Sequence, residues 1–409
     1  MKYSWTQSVF PIAAIFSFRM LGLFMLIPVF TVFAPQLEGA TPALIGIALG
    51  SYGLSQGILQ IPFGILSDRY GRKKVITAGL VLFIAGSLLG AVTHSIYGMI
   101  LARTLQGTGA IGSVLIALLA DLTTDDERTK SMAVIGMTIG ISFSLAMVIS
   151  PAITHHFGLS GIFYFTTLLA IGGLFLLHWV IPTPKRESFH VDSEAKSSLI
   201  KTVIFDKQLQ RLNAGIFFQH LILTSTFFAI PLLLQQQLKQ GHLTQQWHFY
   251  LPMMVVAFLI MIPFIFFAEK KKQMKPVFIL AILITGTTQL LLSVTCNHWW
   301  SLCVLMLGYF AAFNILEASL PSLISKTAKP AMKGTAMGVY SSSQFLGIFV
   351  GGLMAGILFQ HAGIGSIFIS NALVSLLWVI IALPMKSNLY HTRADINYDI
   401  VNLSEKPSS

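Results

Sequence analysis

The chain has 409 residues, of which 55% are hydrophobic and 10% are charged, and its mean hydropathy is +0.76. Soluble domains carry about 25% charged residues, so this composition excludes a soluble globular protein and indicates a chain that faces lipid over most of its length. The net charge of +11 would suit nucleic acid. The cations lie between apolar runs instead of along one polar face, however, so we predict no nucleic-acid partner.

Twelve apolar segments are long enough to cross a bilayer as helices, which takes about 20 residues each. In chain order they are 8–34, 42–67, 75–94, 97–120, 131–154, 160–182, 212–236, 247–268, 276–295, 299–325, 334–360 and 364–385. We therefore predict an all-α membrane protein with 12 transmembrane helices in two six-helix, pseudo-symmetric halves. The predicted parts are an N-terminal bundle at 1–183, a cytoplasmic linker at 184–211, a C-terminal bundle at 212–385 and a cytoplasmic tail at 386–409.

The positions of the Lys and Arg residues predict the orientation of these spans. With the N-terminus in the cytoplasm, all but three of the 26 cations lie on the cytoplasmic side; the exceptions are Lys239 outside and Arg19 and Arg103 within spans. Such a bias predicts a multi-pass protein of a cytoplasmic membrane with both termini inside.

The two halves also share a short repeat at the end of an even-numbered span. Ile61-Pro62-Phe63 is followed five residues later by Asp68, and Ile262-Pro263-Phe264 is followed five residues later by Glu269. Basic residues come directly after both acids. The matched positions indicate an internal duplication, which is typical of transporters with a site between their repeats.

The loop between spans two and three carries the most specific motif, Gly64-x-Leu66-x-Asp68-Arg69-x-Gly71-Arg72-Lys73-Lys74. Its position, charges and glycines resemble the signature loop of the major facilitator superfamily, whose members are secondary transporters. We expect Gly64 to permit close helix approach and Gly71 to permit a tight turn. Asp68 at the membrane edge needs a partner or a cap. The alternative is a loop whose cations merely anchor the helices.

Span four contains Arg103-Thr104-Leu105-Gln106-Gly107, which resembles the superfamily motif in which an intramembrane arginine precedes a Gln-Gly pair. A buried guanidinium needs an acceptor or an anion. Arg103 and Gln106 would therefore tune a proton site or contact the substrate; the alternative is a static hydrogen-bond hub between helices. Span five, with Gly136, Gly140 and Ser150-Pro151, matches the glycine-rich antiporter motif only in part, and ordinary helix packing explains it equally well.

Ionisable residues inside the spans are the candidates for proton coupling and for the cavity. Glu317 is the one acid deep within a span. An ionised carboxylate in hydrocarbon is costly, so Glu317 should hold a proton or find a cation, which is what proton coupling needs; a permanently neutral or paired structural acid is the alternative. Arg19 in span one and His220 in span seven lie at similar depth, and His220 has the competing interpretation of a hydrogen-bonded helix residue. Gln344 in span eleven adds a polar group.

Span one, the signature loop, span four and the segment from Lys333 to Gly347 resemble the YajR-type branch of this superfamily, a set of proton-driven drug or metabolite exporters of bacterial inner membranes. In the superfamily, spans one, four, seven and ten border the central cavity. The resemblance implies that Asp68, Arg72 and Asp121 form a charge relay. It also implies that Asp68 faces the start of span eleven near Gly334, where a helix N-terminus favours an anion, and so locks the outward-open state. Only 24 residues follow the last predicted span, so we expect no extra C-terminal domain.

These features predict a secondary transporter that works by alternating access and exports small amphipathic or cationic compounds, such as drugs, in exchange for protons. Its partners would be the small-molecule substrate, protons and the lipid bilayer, and it would function as a monomer. We predict no cofactor and no metal, because the proton gradient supplies the energy. No Gly-x-x-x-x-Gly-Lys-Ser/Thr loop for ATP is present in the sequence.

Two alternatives remain at this point. A proton-coupled metabolite or sugar transporter could share the fold, but Gln219 and Gln344 are few polar groups for such a substrate. An integral membrane enzyme would need a nucleophile and base or a metal-ligand cluster near an interface, and the sequence contains no such cluster. We therefore predict that the protein is not an enzyme.

Overall fold

The computed structural model describes residues 4–184, 197–329 and 332–385 as helices joined by short loops. The helices are α1 (Val9–Phe24), α2 (Phe30–Phe33), α3 (Pro42–Tyr70), α4 (Arg72–Val92), α5 (Ile96–Thr108), α6 (Gly112–Leu122), α7 (Asp125–Phe175), α8 (Ser197–Phe205), α9 (Lys207–Lys239), α10 (Trp247–Lys270), α11 (Met274–Thr295), α12 (Trp299–Thr327) and α13 (Lys333–Ala382). Extended structure in this part of the chain is limited to one isolated bridge between Glu38 and Ser95. The prediction of an all-α protein is confirmed.

Within the described residues, nine helices are long and apolar enough to cross a membrane, with α5 and α6 counted as one. Two of the nine, α7 and α13, contain 51 and 50 residues. At 1.5 Å per residue each would extend over about 75 Å, more than twice the hydrocarbon thickness of about 30 Å. Gly158 and Gly363 break them with positive φ angles of 64° and 74°, so each consists of two arms. The breaks fall in the gaps between predicted spans.

Two predicted spans are interrupted instead of continuous. In segment 8–34, α1 ends at Phe24 and α2 begins at Phe30, because Pro28 lacks the N–H that would continue the helix and restricts the residue before it. In segment 97–120, Gly109 separates α5 from α6. A Cβ atom at Gly109 would lie 2.4 Å from the carbonyl oxygen of Gly79 in α4, so the chain bends where two backbones touch.

The helices pack as two groups, α1 to α7 and α9 to α13, which meet mainly through α3 and the first arm of α13. Glycines on both helices allow this approach. A Cβ atom at Gly46 of α3 would lie 2.2 Å from the carbonyl oxygen of Gly352, and one at Gly351 would lie 2.3 Å from the carbonyl oxygen of Leu221 in α9. The first arm of α13 is therefore held between α3 and α9 without intervening side chains.

An aromatic cluster provides a second contact between the two groups. Phe143 of α7 is buried and its ring centroid lies 5.1 Å from that of Phe24 in α1. It also lies 6.0 Å from the ring centroids of Phe227 in α9 and Phe313 in α12. These apolar contacts close the space between the groups near the middle of the helices.

The predicted linker and tail are described only in part. Residues 185–196 and 386–409 fall outside the described residues, so the tail and part of the 184–211 linker have no structural account. The described part of the linker contains α8 and the residue Asp206, whose side chain accepts hydrogen bonds from the backbone N–H groups of Gln208 and Leu209 at 2.9 Å. This N-cap defines the start of α9.

We predict that Gly46→Val destabilises the protein, because the added side chain would force α3 away from α13. Overpacking of this kind costs about 1–3 kcal/mol, so the melting temperature of the purified protein in detergent should fall by several degrees. Gly136→Val is the matched control, since a Cβ atom there would have no neighbour within 4 Å. Equal melting temperatures for both variants would contradict the packing described here.

Candidate functional site

Arg72 organises a cluster of charged residues where α3 meets α4 and α6. Its guanidinium donates to the carboxylate of Asp68, to the carboxylate of Asp121 at 3.2 Å from Nε, and to Ser67 Oγ at 2.6 Å. The side chains of Arg72 and Asp121 are buried, whereas that of Asp68 is 36% exposed. The three residues of the predicted relay are thus in contact, with Arg72 between the two acids, and their functional role stays a prediction.

The remaining residues of the signature loop have separate positions. Gly71 adopts a φ of 96° between α3 and α4, which glycine tolerates at little steric cost. Lys73 Nζ donates to the carbonyl oxygen of Ile181 at 2.6 Å and so ties α4 to the end of the α7 segment. Arg69 is exposed, with Cζ 5.5 Å from the ring centroid of Tyr70.

Gly64 does not bring two helices together in this conformation. A Cβ atom there would meet Ser113 Oγ at 3.4 Å, which is ordinary van der Waals contact. The close approach that we expected at Gly64 occurs instead at Gly46, Gly50 and Gly53, toward the other end of α3. The physical reason is that a cavity lies beside Gly64.

This cavity separates α3 from α13 at the Asp68 end of the two helices. It is lined by Gln60, Gly64 and Asp68 of α3, Ser113 of α6, and Gly334 and Ser341 of α13. Asp68 and the start of α13 therefore face the same space, as the family resemblance implied. Because α3 and α13 touch at their other ends, the two helix groups are closed at one end and apart at the other.

Arg19 lies inside the first helix group with 3% of its surface exposed. Its Nη2 donates to the Tyr52 hydroxyl at 3.1 Å and to the side-chain oxygen of Gln56. Gln56 in turn donates from Nε2 to the side-chain oxygen of Gln60 at 3.2 Å. A chain of polar groups thus extends from Arg19 to the cavity, which Gln60 lines.

Arg103 lies over the ring of Tyr52 with 1% of its surface exposed. Its Nη1 donates to Gln106 Oε1 at 2.7 Å, and Gln106 Nε2 donates to Ser87 Oγ at 2.8 Å. The Arg103 Cζ atom is 4.9 Å from the Tyr52 ring centroid, a cation–π distance. These contacts join α3, α4 and α5. They are compatible with a static hydrogen-bond hub between helices and also with a role in tuning a proton site.

Glu317, His220 and Gln344 meet inside the second helix group, each on a different helix. His220 Nε2 is 3.9 Å from Glu317 Oε2 and 2.8 Å from Gln344 Nε2. His220 is buried, whereas the Glu317 side chain is 30% exposed. The structure therefore brings together three residues that the sequence singled out separately, and it keeps them in a different helix group from Arg19 and Arg103.

Sequence reasoning missed the three partners on α3. Tyr52, Gln56 and Gln60 are four residues apart and therefore share one helix face, a pattern visible in the sequence as polar side chains in an apolar segment. It also missed the buried contact of Asn371 with Ser225 at 2.6 Å and with Gln289 at 2.9 Å. Asn371 links the second arm of α13 to α9 and α11, and this buried network stabilises the packing of the three helices.

The arrangement suits reversible protonation within an apolar helix bundle. The Glu317 side chain is partly exposed and has as its neighbour an imidazole that can accept or donate a proton. The Arg72 cluster offers a charge at the mouth of a cavity between two helix groups. Each group has its own buried ionisable residues, and the groups meet mainly through α3 and the first arm of α13.

Comparison with known proteins gives the family. The family model described as Major Facilitator Superfamily matches residues 12–272 and 212–394. The chain is 42% identical to the inner membrane transport protein YajR of Escherichia coli (strain K12), over 94% of this chain and 84% of YajR. It is 25% identical to the quinolone resistance protein NorA of Staphylococcus aureus (strain MSSA476), over 90% of this chain and 94% of NorA.

A solved structure has the same fold. The crystal structure of a point mutant of the nucleoside transporter NupG superposes with a TM-score of 0.71 at 17% identity, covering 91% of this chain and 98% of NupG. The family match covers most of the sequence. The chain therefore belongs to the Major Facilitator Superfamily of multi-pass membrane transporters.

Proposed function

We propose that this transporter exports small amphipathic compounds by alternating access and exchanges them for protons. The observation that supports it most is the position of Glu317, an acid within an apolar helix that is partly exposed and has His220 beside it. A carboxyl group that is protonated in one state and ionised in another couples proton movement to a conformational change. Glu317 is the proposed proton carrier.

The proposal includes twelve spans with both termini in the cytoplasm. Counting α1 with α2, α5 with α6, and the two arms of α7 and of α13 separately gives twelve apolar segments. The bias of Lys and Arg toward one side supports the orientation. The Asp68 end of α3 is then cytoplasmic, and the end near Pro42 faces outward.

With this orientation, the described conformation is closed to the outside and has its cavity toward the cytoplasm. The glycine contacts of α3 with α13 form the outer closure, and the Phe143 cluster adds contacts near the middle of the helices. To face outward, the groups would separate there, and Asp68 would approach the first turn of α13, where backbone N–H groups favour an anion. Exchange between these two packings is the proposed transport step.

The electrochemical gradient of protons sets the largest concentration ratio of exported compound that such an exchange can maintain. One charge crossing about 100 mV is worth about 2.3 kcal/mol, and one pH unit adds about 1.4 kcal/mol. Exchange of one proton for one neutral molecule could then sustain a concentration ratio of about 500. This is enough to keep a toxic compound low in the cytoplasm, and the name of the relative NorA, a quinolone resistance protein, supports such a substrate class.

A metabolite or sugar transporter would need side-chain amide groups that are free to bind the substrate. The two glutamines that could serve this role already have hydrogen-bond partners within the protein. Gln219 Nε2 donates to the carbonyl oxygen of Phe313 at 3.1 Å, and Gln344 is bonded to His220 at 2.8 Å. A sugar needs several donors and acceptors because its hydroxyl groups lose water on binding. Export of apolar-bodied compounds remains the better-supported proposal.

We expect Glu317→Gln to abolish proton-driven export and leave the fold intact, because glutamine keeps the shape but cannot exchange a proton. The measurement is efflux of a fluorescent amphipathic dye from proteoliposomes under an imposed pH gradient. Wild-type efflux should collapse when an uncoupler is added, and Glu317→Gln should match that level from the start. The control is Glu38→Gln, an exposed acid in a loop. Efflux by Glu317→Gln that still responds to the gradient would exclude Glu317 as the carrier.

We expect Asp68→Asn to favour the inward-facing conformation, because the outward-facing one loses its charge opposite the start of α13. A cysteine placed at Ala43, where α3 meets α13, would report on the outer closure after Cys296 and Cys303 are changed to serine. Labelling of Ala43→Cys from outside should slow in the Asp68→Asn background. Glu269→Gln serves as the comparison, since Glu269 is paired with Lys326 at 2.8 Å. Labelling rates unaffected by Asp68→Asn would argue against the lock.

A further inference from the structure

The first helix group contains two buried cations that share one tyrosine. Arg19 and Arg103 are 3% and 1% exposed, and both contact Tyr52, one through its hydroxyl group at 3.1 Å and the other over its ring at 4.9 Å. Arginine stays protonated in proteins. Two positive charges are therefore held close together in an apolar bundle.

The partners of these two cations are neutral. Gln56 accepts from Arg19 and Gln106 accepts from Arg103; within the described residues, neither guanidinium has a carboxylate as an ion-pair partner. Arg72 differs, because it contacts two acids. Buried charges in proteins are normally paired, so the pair formed by Arg19 and Arg103 lacks the anion that its burial calls for.

Some of the donor groups of these arginines are also unused. Nε and Nη1 of Arg19 and Nε of Arg103 are buried and have no hydrogen-bond partner among the described residues. The group beside Nε–H in Arg19 is Nη2, which already donates to Tyr52 and Gln56. The unused Nε and Nη1 therefore lie on different edges of the guanidinium, and each can donate a single charge-assisted hydrogen bond to an anion.

Arg19 lies close to Gly112 of α6 and to Gln60 of α3. Its Nη1 is 3.1 Å from the position that a Cβ atom would occupy at Gly112, and Gln60 Nε2 is 3.4 Å from the same position. A larger residue at 112 would therefore press on both side chains. Gln60 lines the cavity that Asp68 and Gly334 border, whereas Arg19 does not, so a carboxylate in the cavity would reach Arg19 Nη1 by displacing the Gln60 side chain.

We propose that Arg19 binds the carboxylate of an amphipathic organic acid, with Gln60 as the neighbouring polar contact and Arg103 as a second positive charge behind Tyr52. The apolar part of the ligand would lie in the cavity against Ile61, Ile116 and Met337. This inference rests on the proposed transport function and narrows its substrate class to organic anions. The same two charges disfavour a cationic substrate at this position.

The test compares ligands of equal shape and different charge on the purified full-length chain in detergent, without a gradient. Naphthalene-1-carboxylate should bind at least about tenfold more tightly than naphthalene-1-carboxamide, as expected for a charge-assisted pair. Naphthalen-1-ylmethylammonium should bind no better than the amide. Acetate should bind weakly, because it lacks the apolar part. Affinity is measured by calorimetric titration.

Arg19→Gln should reduce the preference for the carboxylate to below twofold, and Arg19→Lys should retain part of it. Gly112→Ala offers a second variant that keeps the arginine but crowds its Nη1 and Gln60, and it should weaken carboxylate binding with little effect on the amide. Lys239→Gln is the control, an exposed cation at the far end of α9. Monodisperse elution of each variant is the check on folding.

Equal affinity of the wild-type protein for carboxylate and amide, or absence of carboxylate binding, would overturn the proposal. A preference that survives both Arg19→Gln and Gly112→Ala would overturn it too. Because binding is measured without a gradient, the result is independent of proton coupling. Glu317→Gln should keep the carboxylate preference while losing driven export, so failure of the anion site and failure of the transport proposal give different results.

Discussion

The cost of burying polar groups in an apolar bundle governs this structure. A charge or amide surrounded by hydrocarbon cannot hydrogen-bond to water, so it needs at least one partner within the protein. Arg72 meets this need with two carboxylates, one of them fully buried. Arg19 and Arg103 meet it with a tyrosine and two glutamines. The difference separates a cation that is paired with acids of the protein from two cations whose partners among the described residues are neutral.

The same constraint explains how the two helix groups can move against each other. Polar networks hold helices within each group, as Gln106 with Ser87 does in the first and Asn371 with Gln289 in the second. The contacts between the groups include glycine backbones and phenylalanine rings. Such contacts carry few directional bonds to break, so two packings of the same surfaces can differ little in free energy. A transporter that alternates between states needs an interface of this kind.

Much of the fold could be predicted from residues that determine the backbone conformation of their own segment. Glycine at 71 predicted the turn, and φ is 96° there. Proline at 28, by contrast, lay inside a segment that was predicted to be one continuous span, and it ends the first helix early. The expectation that Gly64 brings helices together was wrong for this conformation, because the glycine row that does so begins nearer the other end of α3. Which glycines in a row touch a neighbour depends on how two helices cross, and a single segment does not specify that.

The candidate sites likewise combine residues that the sequence identifies with contacts that only helix packing specifies. Glu317, His220 and Gln344 were each noticed as polar residues in apolar spans, but their meeting on three helices depends on how each helix is rotated about its axis. The sequence alone was enough to predict a helical membrane protein, because each segment partitions into lipid according to its own apolar content and flanking charges. The folded arrangement is needed to know which polar groups meet, which buried arginines have no acid beside them among the described residues, and which end of the bundle holds the cavity. Those depend on contacts between residues far apart in the chain, and nearly uniform apolar helices give no signal of which face turns inward.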